Sequence, residues 1–422
     1  FMQTILTFIA KVEPAKLGNL EELLEQIQNF KPTGHHPDLP LAALKKLHFG
    51  SIVIFKDTAG NYDPCLVFEN NFDGQFDEHL EALLEHGAAG LHQIYSQCVD
   101  FKATGPQDRT AIAAFLRAHV VRPHAYHIGN AGRSVERITQ EAQLMDGIER
   151  FLDGSARSGL GDTSPASARE KIQQFVAGNA MWNWARHAQS RLTFAERFVP
   201  WTKLVSVGLL VLLALLMLLP FLILYVIVLR WHERNDRSDI PAPRDQQLQQ
   251  LAGREDHVVQ NHMASLCYVK PGKFRRTTLR AVLWLANLVA GVSYHGKLSG
   301  LDSLHFAHWV VIDHGRRLLF LTNYDGSWEN YLDDFVDKAS LGLTGIWSNT
   351  MDFPRTRFLV FGGARDATRF KAIARQTQAY TNVWYSAYPN LTVTAIDNNS
   401  AVREELFRSL DEDATRRWLW RF

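Results

Sequence analysis

The residues best equipped for chemistry lie in the second half of the chain. His305 and His308 stand at the start of the apolar run Leu304-His305-Phe306-Ala307-His308, and Asn323-Tyr324-Asp325-Gly326 closes the next one. A neutral imidazole can ligate a haem iron or another metal. The plainer role for such a histidine is a hydrogen bond at a strand start. If the run is a strand, alternation puts His305 with Ala307 and Trp309 on one face and His308 with Phe306 and Val310 on the other. Asp325 and Asn323 at a strand end can serve as acid, base or polar anchor. Equally, Asp325 can cap the helix that follows, with Gly326 making the tight turn. Arg355 and Arg357, in Phe353-Pro354-Arg355-Thr356-Arg357, can grip a carboxylate such as a haem propionate, or simply sit solvated at a strand edge.

Most of this set occurs twice. Leu47-His48-Phe49 returns as Leu304-His305-Phe306, and Val12-Glu13-Pro14-Ala15-Lys16 as Val269-Lys270-Pro271-Gly272-Lys273, both at an offset of 257. Leu66 to Gly74, with Asn71-Phe72-Asp73-Gly74, returns as Leu318 to Gly326 at an offset of 252. One turn is therefore five residues shorter in the second copy. His308 is specific to that copy, because the first has Ser51 there. Recurrence of the Asp in both copies favours a structural role for it. A duplicated copy is free to specialise, which makes His308 the candidate for a copy-specific task.

The elements that must position these residues read as strand, helix, strand, strand, helix, strand in each copy. In the first, Thr4 to Lys11 is a strand and Leu17 to Phe30 a helix. Ser51 to Lys56 and Pro64 to Glu69 are strands joined by the turn Asp57-Thr58-Ala59-Gly60-Asn61. Gln75 to His86 is a helix with Phe76, Leu80, Leu83 and Leu84 on one face, matched by Trp328, Leu332, Phe335 and Val336. A last strand near Ala125 to Ile128 corresponds to Val383 to Ser386. The expected organisation is repeat one over 1–153, a linker and amphipathic helical segment over 154–200, a membrane element over 201–232, a charged linker over 233–256, and repeat two over 257–422.

The membrane element is expected because Leu204 to Leu229 contains no charge, with Trp201, Lys203, Arg230 and Trp231 as flanking anchors. It reads as a single span or as a hairpin bent at Pro220. The hairpin keeps the two copies on one side, where they can pair. Leu279 to Val292 is too short to span, but it has lost the polar face of its counterpart, Leu20 to Phe30. That segment and the tail Arg416-Arg417-Trp418-Leu419-Trp420-Arg421-Phe422 suit a lipid surface, a protein partner or a homo-oligomer. Thr4 to Ala10 lacks the length and basic start of a cleavable signal and reads as a strand. The expected localisation is the membrane, with the folded domains on the cytoplasmic side.

Composition removes several classes. A net charge of +1 gives no footprint for nucleic acid. Three scattered cysteines make neither a disulfide framework nor a zinc ribbon. There is no HExxH, Walker loop, GxSxG or dinucleotide fingerprint.

The repeated βαββαβ order is the ferredoxin-like plan, an α+β class in which two units pair sheet to sheet as a barrel. The chain thereby resembles the dimeric α/β-barrel superfamily, which includes dye-decolorising peroxidases and chlorite dismutases, with the pair formed within one chain. The resemblance covers most of both copies and rests on topology and duplication. Dye-decolorising peroxidases carry a Gly-x-x-Asp-Gly motif whose Asp assists peroxide cleavage. Here Asn70 and Thr322 stand in place of its first glycine. The resemblance implies catalytic roles for Asp325, His308 and Asn323, and haem contacts from His308, His305 and Arg355, with no separate metal. Two functions are consistent with the sequence. One is a bacterial-type, membrane-anchored accessory or lipid-interacting subunit of a larger complex. The other is a membrane-bound, haem-dependent oxidoreductase acting on a lipophilic substrate or peroxide.

Overall fold

A computed structural model describes residues 3–57, 59–156, 164–187, 205–206, 208–209, 219–236, 245–253, 255–292 and 300–422. The strands β1 (Gln3–Lys11), β2 (Leu47–Phe55) and β3 (Cys65–Asp73) form an antiparallel sheet in the order β2-β3-β1. Three strands of the second copy repeat it: β6 (Gln260–Tyr268), β7 (Leu304–Ile312) and β8 (Arg317–Asp325), in the order β7-β8-β6. The short β4 (Val120–Val121) extends β1, and β11 (Gln378–Ala379) extends β6.

The last strand of each copy then leaves its own sheet. β5 (Ala125–Ile128) pairs with β7 of the second copy, and β12 (Thr381–Ser386) pairs with β2 of the first. The class is α+β with two five-stranded antiparallel sheets. Reciprocal exchange of edge strands joins the copies through backbone hydrogen bonds as well as side chains.

The layers follow from strand alternation. Leu6, Phe8, Ile52, Ile54, Leu66 and Phe68 point outward onto α1 (Leu17–Asn29), α2 (Phe76–Tyr95) and α3 (Arg109–His119). Their counterparts in the second sheet pack on α8 (Lys273–Val292), α9 (Trp328–Trp347) and α10 (Ala367–Thr377). The opposite faces meet. Val53, Phe55, Cys65 and Val67 pack against Ala264, Val310, Leu319 and Leu321. A third cluster joins α4 (Val135–Ala156) and α5 (Pro165–Gly178) to α11 (Val393–Glu405) and α12 (Glu412–Leu419). Trp418 belongs to that core, with its Nε1 donating to the Val402 carbonyl at 3.1 Å, while Trp420 is exposed. The basic-aromatic tail is thus partly a core element.

The membrane element and the membrane localisation expected from the sequence do not hold. Among the described residues no helix is long and apolar enough to cross a membrane. The helix α6 (Leu219–Asn235) has 17 residues. Its last turns carry Arg230, Glu233 and Arg234. Residues 201–204, 207 and 210–218 of the expected element lie outside the described residues. In α8, Leu279 and Leu283 are buried, whereas Trp284, Leu285 and Val289 are exposed.

The C-terminal end of α6 has a definite task. The buried Glu233 accepts from Thr356 Oγ1 at 3.0 Å and from the backbone N–H groups of Phe358 at 3.0 Å and Leu359 at 2.7 Å. It also pairs with Arg230. Phe358 and Leu359 have φ of 52° and 71°, a left-handed turn that costs free energy in non-glycine residues. Glu233 holds that turn between β9 (Thr356–Arg357) and β10 (Phe361–Gly362). Glu233→Ala is expected to speed amide exchange at Leu359 by roughly a hundredfold, through loss of charge-assisted bonds. Unchanged exchange there would show that the turn is held by something else.

Candidate functional site

The polar residues between the sheets form two kinds of assembly, one repeated and one not. The repeated one lies at the sheet end where β3 and β8 finish. His48 Nε2 is 2.7 Å from Asp73 Oδ1, and Asp73 Oδ2 accepts the backbone N–H of Val135 at 2.8 Å. In the second copy His305 Nε2 is 2.7 Å from Asp325 Oδ1, and Asp325 Oδ2 accepts the N–H of Val393 at 2.7 Å. Each aspartate therefore takes the first backbone N–H of a helix, α4 or α11, 62 or 68 residues further on, beside the cap that Ser134 or Thr392 supplies. The adjacent helices manage otherwise. α2 has no side-chain cap, and α9 is capped by Ser327. The expected cap was right in kind and wrong in target. Gly74 (φ 101°) and Gly326 (φ 78°) make the expected tight turns.

The alternation reading of His305 also needs correction. Pairing slips between Leu304 and Phe306, and likewise between Leu47 and Phe49. These bulges turn the histidine and the following Phe toward the same region. His305 lies 5.2 Å from Phe49, and His48 lies 5.4 Å from Phe306, ring centre to ring centre. His48 Nδ1 reaches Tyr388 Oη at 2.7 Å, so the first dyad is tied to the second copy.

The unrepeated assembly lies mid-sheet and centres on Glu69, which is fully buried. Its Oε2 accepts from Ser51 Oγ at 2.8 Å and from His262 Nε2 at 3.0 Å. Its Oε1 accepts from Asn71 Nδ2 at 3.0 Å and from Asn323 Nδ2 at 3.3 Å. His308 completes the ring. Its Nδ1 is 3.5 Å from Glu69 Oε1 and its Nε2 is 3.0 Å from Thr7 Oγ1. Asn323 Oδ1 accepts from Trp384 Nε1 at 3.0 Å. Burial pushes the Glu69 carboxyl up, but the hydrogen bond and charge of His262, the charge of His308 and the Asn71 hydrogen bond outweigh it and hold the group at about 2. Burial pushes His308 down to about 4, against the pull of Glu69. The seam at neutral pH is an ionised carboxylate ringed by donors, with a neutral His308.

His308 thus faces as the sequence implied, between Phe306 and Val310, and the structure brings it together with Asn323. Asp325 and His305 sit apart, at the sheet end. Arg355 is exposed and its Nε donates to the Asp236 carbonyl at 3.2 Å, on the α6 side of the molecule. The residues proposed for haem therefore do not converge, and Nε2 of His305 and Nε2 of His308 are taken up by Asp325 and Thr7. They do not fit that cofactor. Among the described residues no group of three or more His, Cys, Asp or Glu side chains is placed to hold a metal ion.

Sequence reasoning missed Glu69 and His262. The signal was there in the comparison of copies: Glu69 aligns with Leu321, and His262 with Ile5. An ionisable residue opposite an apolar one at the same core position marks divergence between copies.

An open cleft lies at the other end of the sheets, between the copies. It encloses about 1130 Å³. On its wall Tyr268 Oη donates to Asp57 Oδ1 at 2.5 Å, joining a second-copy strand to a first-copy turn. Burial pushes the Asp57 carboxyl up, and this bond together with the N–H groups of Ala59, Asn61 and Tyr62 brings it below its ordinary value. Arg317 is paired with Asp313 at 2.5 Å and covers the Tyr62 ring at 4.1 Å. Lys56 is paired with Glu21 at 2.5 Å. Among the described residues four carboxylates (Glu21, Glu25, Asp57, Asp352) line the cleft against these two cations, which gives that lining a negative field. Family models, curated proteins and solved structures contain no match to this chain.

Proposed function

We propose that this chain is a non-catalytic binding module built on two ferredoxin-like repeats, and that its ligand occupies the cleft between them. One observation carries the reading. The side chains with catalytic potential are engaged with each other inside the sheet pair, whereas the large accessible concavity is lined by other residues. Amide and phenol side chains, such as Gln249 and Gln250 of α7 (Asp245–Ala252) and the phenol of Tyr268, line the cleft for hydrogen bonding, and no histidine lines it among the described residues. Its negative field disfavours phosphates and suits an amine-bearing or neutral polar molecule.

Ligand-observed NMR with spermidine, trehalose and AMP tests this. Spermidine or trehalose is expected to bind in preference to AMP. Glu25→Lys, which reverses a charge on the exposed wall, is expected to weaken spermidine by about tenfold with unchanged circular dichroism. Preference for AMP, or spermidine binding indifferent to Glu25→Lys, would count against the reading.

A further inference from the structure

The two inner sheet faces are not equivalent, although they descend from one sequence. The dyads and Asn71/Asn323 repeat across the copies. The centre does not. Where the first copy has Ile5, Ser51 and Glu69, the second has His262, His308 and Leu321. Glu69 contacts His262 and His308, both from the other copy, at 3.0 and 3.5 Å. The first copy thus carries the carboxylate and the second its imidazoles.

We propose that this exchange is a recognition key, which makes the first repeat dock with the second and not with another first repeat. Two first repeats meeting through these faces would bury two Glu69 carboxylates opposite Ile5 and Ser51. Ionised carboxylates without cationic or imidazole partners are expensive to bury. Two second repeats would bury His262 and His308 opposite Leu321, leaving ring N–H groups unmet. Only the mixed pair sets the Glu69 carboxylate beside both imidazoles. The partner that fits each inner face is therefore the complementary repeat, from the same chain or, by reciprocal exchange, from a second copy of it. Edge strands that already cross between repeats make such exchange topologically open, since β5 and β12 each complete the other repeat's sheet. The linked chain favours pairing in cis by effective concentration. The key acts against homotypic pairs during folding, when both faces are exposed.

The test is refolding of the full chain at increasing concentration, read by light scattering. Cross-linking of mixed 14N- and 15N-labelled chains identifies contacts between first repeats. The variant Glu69→Leu/His262→Ile/His308→Ser replaces each key residue by its counterpart from the other copy. It is expected to raise the fraction of homotypic dimer by about tenfold or more over the wild type. Glu69→Gln keeps the shape, removes the charge, and is expected to give a smaller rise of the same kind. If the triple variant does not fold, Glu69→Gln alone decides. Homotypic fractions equal to those of the wild type would overturn the proposal.

Discussion

Acidification from pH 7 to pH 4 is expected to remove roughly 5 kcal/mol of unfolding free energy, a large part of what a folded domain has. Two histidines dominate. Burial pushes His79 down to about 3 and His308 down to about 4. Below the ordinary histidine value of about 6.5 the unfolded chain binds two protons that the folded chain refuses, so stability falls as pH falls. The effect is absent above pH 7, where both states are neutral at these sites. It continues until the folded values are reached. Glu69 adds to it lower down. Its folded value lies below that of a free carboxylate, so its contribution is complete above about pH 4.5 and is lost toward pH 2.

Urea denaturation at half-unit pH steps checks the slope, and the duplication supplies the control. His79 stacks on Phe72 at 3.8 Å and bonds to Asn70 at 2.9 Å. Its counterpart Tyr331 stacks on Tyr324 at 4.0 Å and bonds to Thr322 at 2.9 Å. The double substitution His79→Tyr/Asn70→Thr installs the second copy's solution in the first. It is expected to reduce the slope between pH 6 and pH 4 by about half. A slope that ignores this change would mean that His79 gains its proton without unfolding.

The pairing of duplicated segments shows what one sequence can disclose about its own fold. Positions related by the two offsets occupy equivalent strands, bulges and caps, because the same apolar spacing dictates the same local structure. The outward and inward faces of β7 were legible for the same reason, and His308 was placed correctly. His305 was not, because a bulge cancels alternation and nothing in Leu304-His305-Phe306 announces one. Helix α2 runs to Tyr95, past the expected end at His86. Gly87 and Gly90 lie inside this longer helix. They are the places where Asp38 and Leu39 press on the helix, as a Cβ on Gly90 would lie 2.7 Å from the Asp38 carbonyl oxygen. The crossing of β5 and β12 to the opposite sheets was also hidden, since strand propensity does not say which neighbour a strand chooses. Chemistry was the hardest to read. A residue such as Glu69 acquires its meaning only from His262, nearly 200 positions away and on the other sheet.

Asp73→Ala and Asp325→Ala are each expected to destabilise the protein by roughly 2–5 kcal/mol. Each change removes two acceptors at once. Loss of Asp73 strands the buried Nε2 of His48 and takes the acceptor from the Val135 N–H at the start of α4, where Ser134 still accepts from Arg137. Loss of Asp325 does the same to His305 and to Val393 of α11, where Thr392 still accepts from Ala395. The two helices pack together in one cluster through Leu144, Met145 and Ile148 on α4 and Val402 and Leu406 on the segment of α11 and its end. Their starts are therefore the points at which the sheets hold the helical layer. The first site carries one extra tie, the 2.7 Å contact between His48 Nδ1 and Tyr388 Oη. His305 has no such phenol contact; its Nε2, which faces Asp325, also lies 3.3 Å from Gln260 Nε2. Asp73→Ala should therefore cost more than Asp325→Ala, because it loosens a contact between copies as well as a helix start. Double-mutant cycles for His48→Ala with Asp73→Ala and for His305→Ala with Asp325→Ala separate the dyad from the cap. Coupling of about 1–3 kcal/mol in both would make the dyads structural clasps. Coupling near zero would leave the cap as the whole role of each aspartate, and the histidines would then need another explanation for their burial.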